Sequence, residues 1–270
     1  VKEKIMMSDK DLEEYHNIGL KIKKNNKYNY IQGKQITDHE SGTRIYDINN
    51  SRLPSVTTIL GATKNQQFLK DWIAKKGEQE AERIKNHSSN RGTAMHKFLE
   101  HYILGSGYDD LTTIGQEAKP MAEKIIEVGL APVDTYLGSE IMLYYPGLYA
   151  GSTDLVCIHN DMETIIDFKQ ANKPKDQRWI TDYYLQIAAY AMAHDYVYGS
   201  QIQQGIIMVC TPDLYFQEFR FTDHELRRYK HEFLKRLDMY HEIKFDEKEQ
   251  AQVPLKGLFE EEIAMEKKDE

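Results

Sequence analysis

The sequence predicts a mixed α/β fold, with a central mixed β-sheet flanked by helices. Three observations lead there. Apolar residues recur with a helical period between about residue 67 and Gly129, then switch to the two-residue alternation of strands from Tyr136. Across that switch the order is helix, three strands, long helix, strand, so an antiparallel meander and a helical crossover together build a mixed sheet. At 270 residues the chain suits one core with a helical elaboration.

Residues 8–24 read as a short charged helix, and KYNYI (27–31) and TRIYDI (43–48), separated by turn-prone residues, read as a small β-hairpin. In LPSVTTIL, Pro54 holds the chain extended and Ser55 is placed to cap the apolar run behind it. Segments 67–86 and 90–104 have helical spacing, the second with Met95, Phe98, Leu99, Tyr102 and Ile103 on its core side. Another helix covers 114–129 and stops at Gly129. YLGSEIMLYYP, GLYAGSTDLVCI and ETIIDFKQ are the three strands, with His159 to Met162 turning between the last two. A long helix follows over 177–198, then the strands QQGIIMVC and LYFQEFRF. The last helix begins near Thr222, where TDHE offers an N-cap and an acidic residue three positions on. The expected division is an elaboration over 1–52, a core over 53–245 and an acidic tail over 246–270.

Composition limits the function. Net charge is −8, from 35 basic and 43 acidic residues, which argues at first against phosphate binding. The nine acidic and four basic residues of 246–270 account for −5 of it, so the acidity belongs to a tail that reads as a solvated extension. Cys157 and Cys210 both fall in strand-like apolar runs, which supports neither a disulfide framework nor a cysteine-ligated metal cluster and points to a reducing, intracellular setting. No apolar run reaches the roughly 18 residues needed to span a bilayer. The first 20 residues are too acidic for an import peptide and lack a secretory apolar stretch, so the expectation is a soluble protein that does not engage membranes. No GxxxxGK(S/T), GxSxG or HExxH pattern occurs.

The sharpest chemical signal is IIDFKQ. On a strand, Asp167 and Lys169 point to one face while Ile166 and Phe168 enter the other. Thirteen residues upstream, Asp154 in GSTDLV lies on the strand that pairs with this one across a turn near Asn160. Carboxylates on strands about 4.8 Å apart can share an oxygen-loving cation. Such an ion suits phosphodiester hydrolysis, with the lysine orienting water or stabilising the developing charge. A buried structural ion pair is the competing reading of the same residues, because an unpaired charge in IIDF would be costly. On the helix RGTAMHKFLEHYI, His96 and Glu100 share a face, where an imidazole can add a ligand and the carboxylate can hold it or a water; His87 and His101 read as structural.

Trp179, Tyr183, Gln186 and Tyr190 form one stripe on the long helix. Trp179 and Tyr183 lean to packing, while Gln186 and Tyr190 are open between packing and supporting the site or nucleic acid. Lys173, Lys175 and Arg178, with Lys85 and Arg91 at the start of the His96 helix, compose a basic rim. Trp72 and Trp179 among them offer stacking surfaces for unpaired bases.

Together, GxxxHxxxE (Gly92, His96, Glu100), GxxD (Gly151 to Asp154), DxK (Asp167, Lys169) and QxxxY (Gln186, Tyr190) resemble the RecB-like branch of the PD-(D/E)xK nucleases. Within it, LPSVTTIL, RGTAMHKFLE, GSTDLVCI, IIDFKQANKPK, YYLQIAAYAMAHDY and QIQQGIIMV look like the mitochondrial genome-maintenance group of exonucleases and their phage-encoded relatives, over roughly Leu53 to Tyr240. The resemblance implies a restriction-endonuclease-like core and a Mg²⁺- or Mn²⁺-dependent exonuclease that acts on DNA ends and prefers single strands. It also implies replication or recombination proteins as partners, and the host cytoplasm as the setting for a phage-encoded protein.

Carried onto this chain, it makes His96, Asp154, Asp167 and the backbone carbonyl of Phe168 the metal ligands and Lys169 catalytic beside Asp154 and Asp167. Glu100, Gln186 and Tyr190 become supporting residues. Separately, the basic rim and its aromatics make Arg91, Lys173, Lys175, Arg178 and Trp179 the expected contacts to nucleic acid. The cysteines that hold an iron–sulfur cluster in some RecB-like relatives are missing here, so that cofactor is not expected. Two other readings stay open: a nuclease subunit active only beside a helicase or recombinase, and a non-catalytic nucleic-acid-binding module on the same scaffold.

Overall fold

Turn chemistry and strand alternation organise the first part of the chain into a small sheet, and the rest into a larger one that carries the site. The computed structural model describes residues 23–37 and 43–266, with side chains to Asp246. It begins with the two-residue strand β1 (Lys23–Lys24). A three-stranded antiparallel sheet follows, of β2 (Lys34–Thr37), β3 (Arg44–Ile48) and β4 (Ser51–Pro54). Helix α1 (Val56–Ala62) starts at the expected cap, where the Ser55 hydroxyl accepts from the Thr58 N–H at 2.9 Å. Helices α2 (Gln67–Lys76), α3 (Glu78–Leu104) and α4 (Thr113–Lys124) come next, the last running into a π-turn over Ile125–Gly129.

The main sheet uses β5 (Val133–Tyr145), β6 (Tyr149–His159) and β7 (Met162–Gln170). A 3₁₀ turn over Gln177–Trp179 leads into α5 (Thr181–Tyr198), and β8 (Gln204–Cys210), β9 (Phe216–Thr222) and α6 (Asp223–Glu266) complete the chain. In space the strands run β1-β5-β6-β7-β8-β9. The β5–β6–β7 meander is antiparallel, β7 and β8 are parallel across the α5 crossover, and β9 pairs antiparallel with β8. This is the mixed sheet flanked by helices that the element order predicts.

Alternation along β6 and β7 divides the core. Leu155, Cys157, Ile166 and Phe168 face Met95, Phe98, Leu99 and Met121 of α3 and α4. Val156 and Ile165 face Ile187, Ala188 and Ala191 of α5, with Phe233 of α6 behind them. Each large apolar side chain enclosed this way stabilises the fold by about 1.5–3 kcal/mol.

Several local expectations need correction. The helix expected over 8–24 lies outside the described residues up to 22, and Lys23–Lys24 are strand, paired parallel with Thr135 and Tyr136. KYNYI is not a hairpin arm; the strand opposite TRIYDI is Lys34–Thr37. Tyr28 and Tyr30 instead pack their rings on His194, at 4.7 and 5.7 Å, so burial against α5 wins over strand pairing. The break between the two long helices falls at Gly77, φ +81°, rather than between 86 and 90. His87 to Asn90 are weak helix formers, but the packing of α3 on α4 and the sheet carries them through. The acidic segment after Asp246 continues the α6 backbone helix to Glu266.

Candidate active site

The β6–β7 ladder ends at the Leu155–Ile166 pair, and the site begins there. Beyond it a side chain replaces the backbone: Asp154 Oδ2 accepts the Phe168 N–H at 2.6 Å. The other oxygen, Oδ1, lies 3.3 Å from His96 Nδ1 on α3. Asp154 is thus held from two sides, by the neighbouring strand and by a helix on the opposite layer. Asp167, only 1% exposed, and Lys169 project together, as strand alternation requires, and form an ion pair through Asp167 Oδ2. Beyond that contact Oδ2 takes no hydrogen bond among the described residues. The Lys169 ammonium also lies over the Tyr183 ring, 5.2 Å from its centre.

The structure therefore gathers His96, Asp154, Asp167 and Lys169, and adds Glu140. Ligand atoms of His96, Glu140 and Asp154 lie within 4.8 Å of one another, a group that does not include Asp167. Glu140 sits in β5 with left-handed backbone, φ +50°. Its neighbours Ser139 and Ile141 pair with Leu155 and Thr153, which sets it opposite Asp154. Alternation alone reads it as the solvent-side polar residue of YLGSEIMLYY. A usable signal existed, since Glu140 and Asp154 are each seven residues from Gly147 in the intervening turn.

Crowded carboxylates shape the electrostatics. Burial pushes Asp167 up to about 6 despite Lys169 beside it. Desolvation in the crowded cleft, then repulsion from Asp154, raises Glu140 to about 7, although the residue stays exposed to solvent. His96 would lose its proton to burial alone, but the Asp154 carboxylate outweighs burial and lifts it to about 9. Asp154 is also penalised by burial, and its His96 partner more than offsets this and holds it below the ordinary carboxylate range. Lys169 is raised because Asp167 and Asp154 together overcome its desolvation. A nitrogen donor and carboxylates with atoms inside 4.8 Å of one another are a donor set that fits a hard divalent cation.

The remaining predicted residues divide. Gln186 Nε2 donates to the Tyr190 hydroxyl at 3.1 Å, and both are buried on α5. Tyr190 presses on Gly151, where an added Cβ would stand 2.4 Å from ring atom Cε1. The glycine of GxxD thus lets a buried ring lie against the strand that carries Asp154. Glu100 acts on Glu140 as a like charge, and no hydrogen bond joins it to His96 among the described residues. Arg91, expected on an exposed rim, is 4% exposed: it donates to Gln170 Oε1 at 2.9 and 3.1 Å, with Asn172 and Glu117 also beside it. Lys173 and Arg178 are exposed, Arg178 paired with Asp176, while the Lys175 backbone is gripped from both sides by the Gln217 amide. Trp179, expected to pack, is 73% exposed, because it belongs to the 3₁₀ turn that precedes α5 rather than to the helical stripe. Trp72 is half-buried on α2, a helix with no fully buried residue.

No model of a known protein family matches the chain. Individual proteins do. Mitochondrial genome maintenance exonuclease 1 of Mus musculus is 31% identical over 224 residues, covering 78% of this chain and 65% of the mouse protein. This chain is a homologue of that exonuclease. The proteins of the same name from Xenopus tropicalis and Homo sapiens are 29% and 30% identical, covering 75% and 71% of this chain. The chain spans 59–65% of the length of these relatives. Among solved structures, a putative exonuclease from Eubacterium rectale covers 57% of this chain and 64% of its own, at a TM-score of 0.43 and 14% identity. An alkaline exonuclease from Laribacter hongkongensis covers 60% of this chain and 85% of its own, at a TM-score of 0.29 and 16% identity.

Proposed function

We propose that the chain is a Mg²⁺- or Mn²⁺-dependent DNA exonuclease of the PD-(D/E)xK type that hydrolyses phosphodiester bonds from DNA ends and prefers single strands. The observation that carries this reading is the meeting of His96, Asp154, the Asp167–Lys169 pair and the Phe168 backbone at the end of the β6–β7 ladder. Homology to exonucleases over 78% of the chain supports it.

In this reading His96, Asp154, Asp167 and the Phe168 carbonyl would hold the ion. The carbonyl leaves the strand on the same side as its N–H, toward Asp154. When bound, such an ion neutralises charge on the scissile phosphate and lowers the pKa of a coordinated water. Lys169, kept protonated by Asp167 and Asp154, presents its ammonium to the attacking water or to a non-bridging phosphate oxygen. Asp154 keeps His96 oriented, and Gln186 and Tyr190 brace the strand beneath. Glu100 adds negative potential at the cation side.

Lys173 and Arg178 offer charge to the backbone of an incoming strand, with Lys175 beside them, and Trp179 offers a ring to an unpaired base. Arg91 serves this surface indirectly, by tying Gln170 and Asn172 at the root of the Lys173 loop.

The test is digestion of linear and circular single-stranded DNA in Mg²⁺, with Lys169→Ala alongside. Loss of the linear substrate only, abolished in the variant, is the expected result. Equal digestion by the variant would sink the catalytic assignment. Cleavage of circles would make the enzyme an endonuclease.

A further inference from the structure

The three strands of the meander bring a third carboxylate to the two that the motifs announce. Glu140 of β5 falls between the Ser139–Leu155 and Ile141–Thr153 pairs, across from Asp154 of β6. Asp154 stands one residue beyond the Leu155–Ile166 pair that ends the ladder with β7, the strand of Asp167. The three carboxylates thus come from three successive strands of the meander. Asp154 stands in the middle, with Oδ1 turned to His96 and Oδ2 held by the Phe168 N–H. The positive partner of Asp167 is Lys169. Glu140 has a weaker tie, the Ser152 hydroxyl at 3.5 Å, and faces Asp154 and Glu100 as like charges and His96 as an opposite one. It keeps this place although its backbone, at φ +50°, is one that a side chain beyond Cβ rarely adopts.

We infer that Glu140 is a cation ligand of this site, holding the divalent ion together with His96 and Asp154 from the side opposite Lys169. The inference rests on the metal-dependent reading above and adds a residue that no sequence motif marks. Its chemistry follows from the donor set: an imidazole and two carboxylates with atoms inside 4.8 Å can share one ion, so Glu140 joins His96 and Asp154 there, while Asp167 is the carboxylate on the Lys169 side. Glu140 thus places negative charge on the β5 side of Asp154, whereas Lys169 comes from β7 on its other side. A structural role, in which Glu140 only completes an ion pair with the imidazolium of His96, makes the opposite prediction for the metal-free protein.

The experiment titrates the full chain with Mn²⁺ alone, following free Mn²⁺ by electron paramagnetic resonance, and measures the melting temperature with and without the ion. Glu140→Gln is expected to weaken Mn²⁺ binding by about tenfold or more, the usual scale for residues supporting a metal site. The metal-free variant should melt no lower than wild type, since like-charge repulsion is relieved, while its Mn²⁺-induced rise shrinks. Glu140→Gly serves as the second variant, because glycine accepts the left-handed backbone and removes the carboxylate. Unchanged Mn²⁺ affinity in both variants overturns the inference and leaves the nuclease reading standing. So does a metal-free melting temperature that falls in both, which marks the structural role. Wild-type protein that takes up no Mn²⁺ overturns the metal-dependent reading itself, and this assignment with it.

Discussion

Asp154 joins two layers of the molecule, accepting the Phe168 N–H at 2.6 Å through one oxygen while the other lies 3.3 Å from His96 Nδ1. Asp154→Asn separates the two roles. The amide oxygen can still accept from Phe168, so folding should survive. The charge that holds the His96 proton is gone, and burial then drives that imidazole down from about 9. On linear single-stranded DNA, kcat/KM should fall by at least about a hundredfold, the scale for losing one positioned electrostatic group. A proton NMR titration of His96 should show the lowered pKa in the same variant, and an unmoved value would mean that Asp154 does not govern the imidazole.

Gly151→Ala should destabilise the protein without touching a charged group. The new methyl would stand 2.4 Å from Tyr190 Cε1, and that ring is buried and hydrogen-bonded by Gln186. Overpacking of this kind costs about 1–3 kcal/mol. In a chain of this size each kcal/mol lowers Tm by about 2–4 °C. Tyr190→Leu in the same background should recover part of the loss by vacating the space, whereas Tyr190→Phe, which keeps the ring, should not. Equal melting of Gly151→Ala and wild type would show that β6 shifts freely under Asp154.

Arg91 and Lys173 are both basic and close in the fold, and they should fail in different ways. Arg91→Ala strands the side chains of Gln170, Asn172 and Glu117, and hydrogen bonds to a buried charged group are worth about 1.5–3 kcal/mol each. Urea unfolding should register the loss, and Arg91→Lys should not restore it, because a point ammonium cannot reproduce the fork that Gln170 accepts from. Lys173→Ala should leave urea unfolding unchanged while weakening DNA binding and lowering the salt dependence by about one counterion. If Arg91→Ala lowered DNA affinity at unchanged stability, the guanidinium would be a phosphate contact after all.

The contrast between these residues shows what the sequence could and could not disclose. Asp167 and Lys169 were legible because strand alternation is a local rule, and the apolar letters around them fixed the face each takes. The stripe from Met95 to Ile103 was legible for the same reason at helical period. Arg91 was misjudged because its amide and carboxylate partners lie 26 to 81 positions away, where no local pattern reaches. The lean of Trp179 toward packing came from extending the helix through a segment that turns as 3₁₀, which takes the ring out of the stripe and leaves it exposed as a stacking surface. Glu140 needed the register of the β5–β6 hairpin, which depends on where the turn sits and not on any motif. Gly77 ended a helix without proline, and its positive φ becomes apparent only in three dimensions.

The gathered carboxylates should also make metal-free stability depend on pH in a defined direction. Asp167 lies at about 6 against an ordinary 3.8, and Glu140 at about 7 against 4.5, so each holds its proton more tightly folded than unfolded. Their stabilising contribution is complete below the unfolded values and is lost as pH rises through 6 and 7. His96, raised from 6.5 to about 9, adds a contribution that is full below 6.5 and lost only through 9. Asp154, lowered, acts the other way and loses its contribution as pH falls below 3.8. Between about pH 5 and 7 the two raised carboxyls add to the decline, with His96 joining from about 6.5. Over that interval the metal-free melting temperature should therefore fall more steeply in wild type than in an Asp167→Asn, Glu140→Gln double variant. Mn²⁺ needs its ligands deprotonated, so the rise in melting temperature that it induces should grow over the same interval. Differential scanning fluorimetry at stepped pH, in EDTA and in Mn²⁺, measures both slopes. Parallel curves for wild type and double variant in EDTA would show that these carboxyls hold no extra proton in the folded protein.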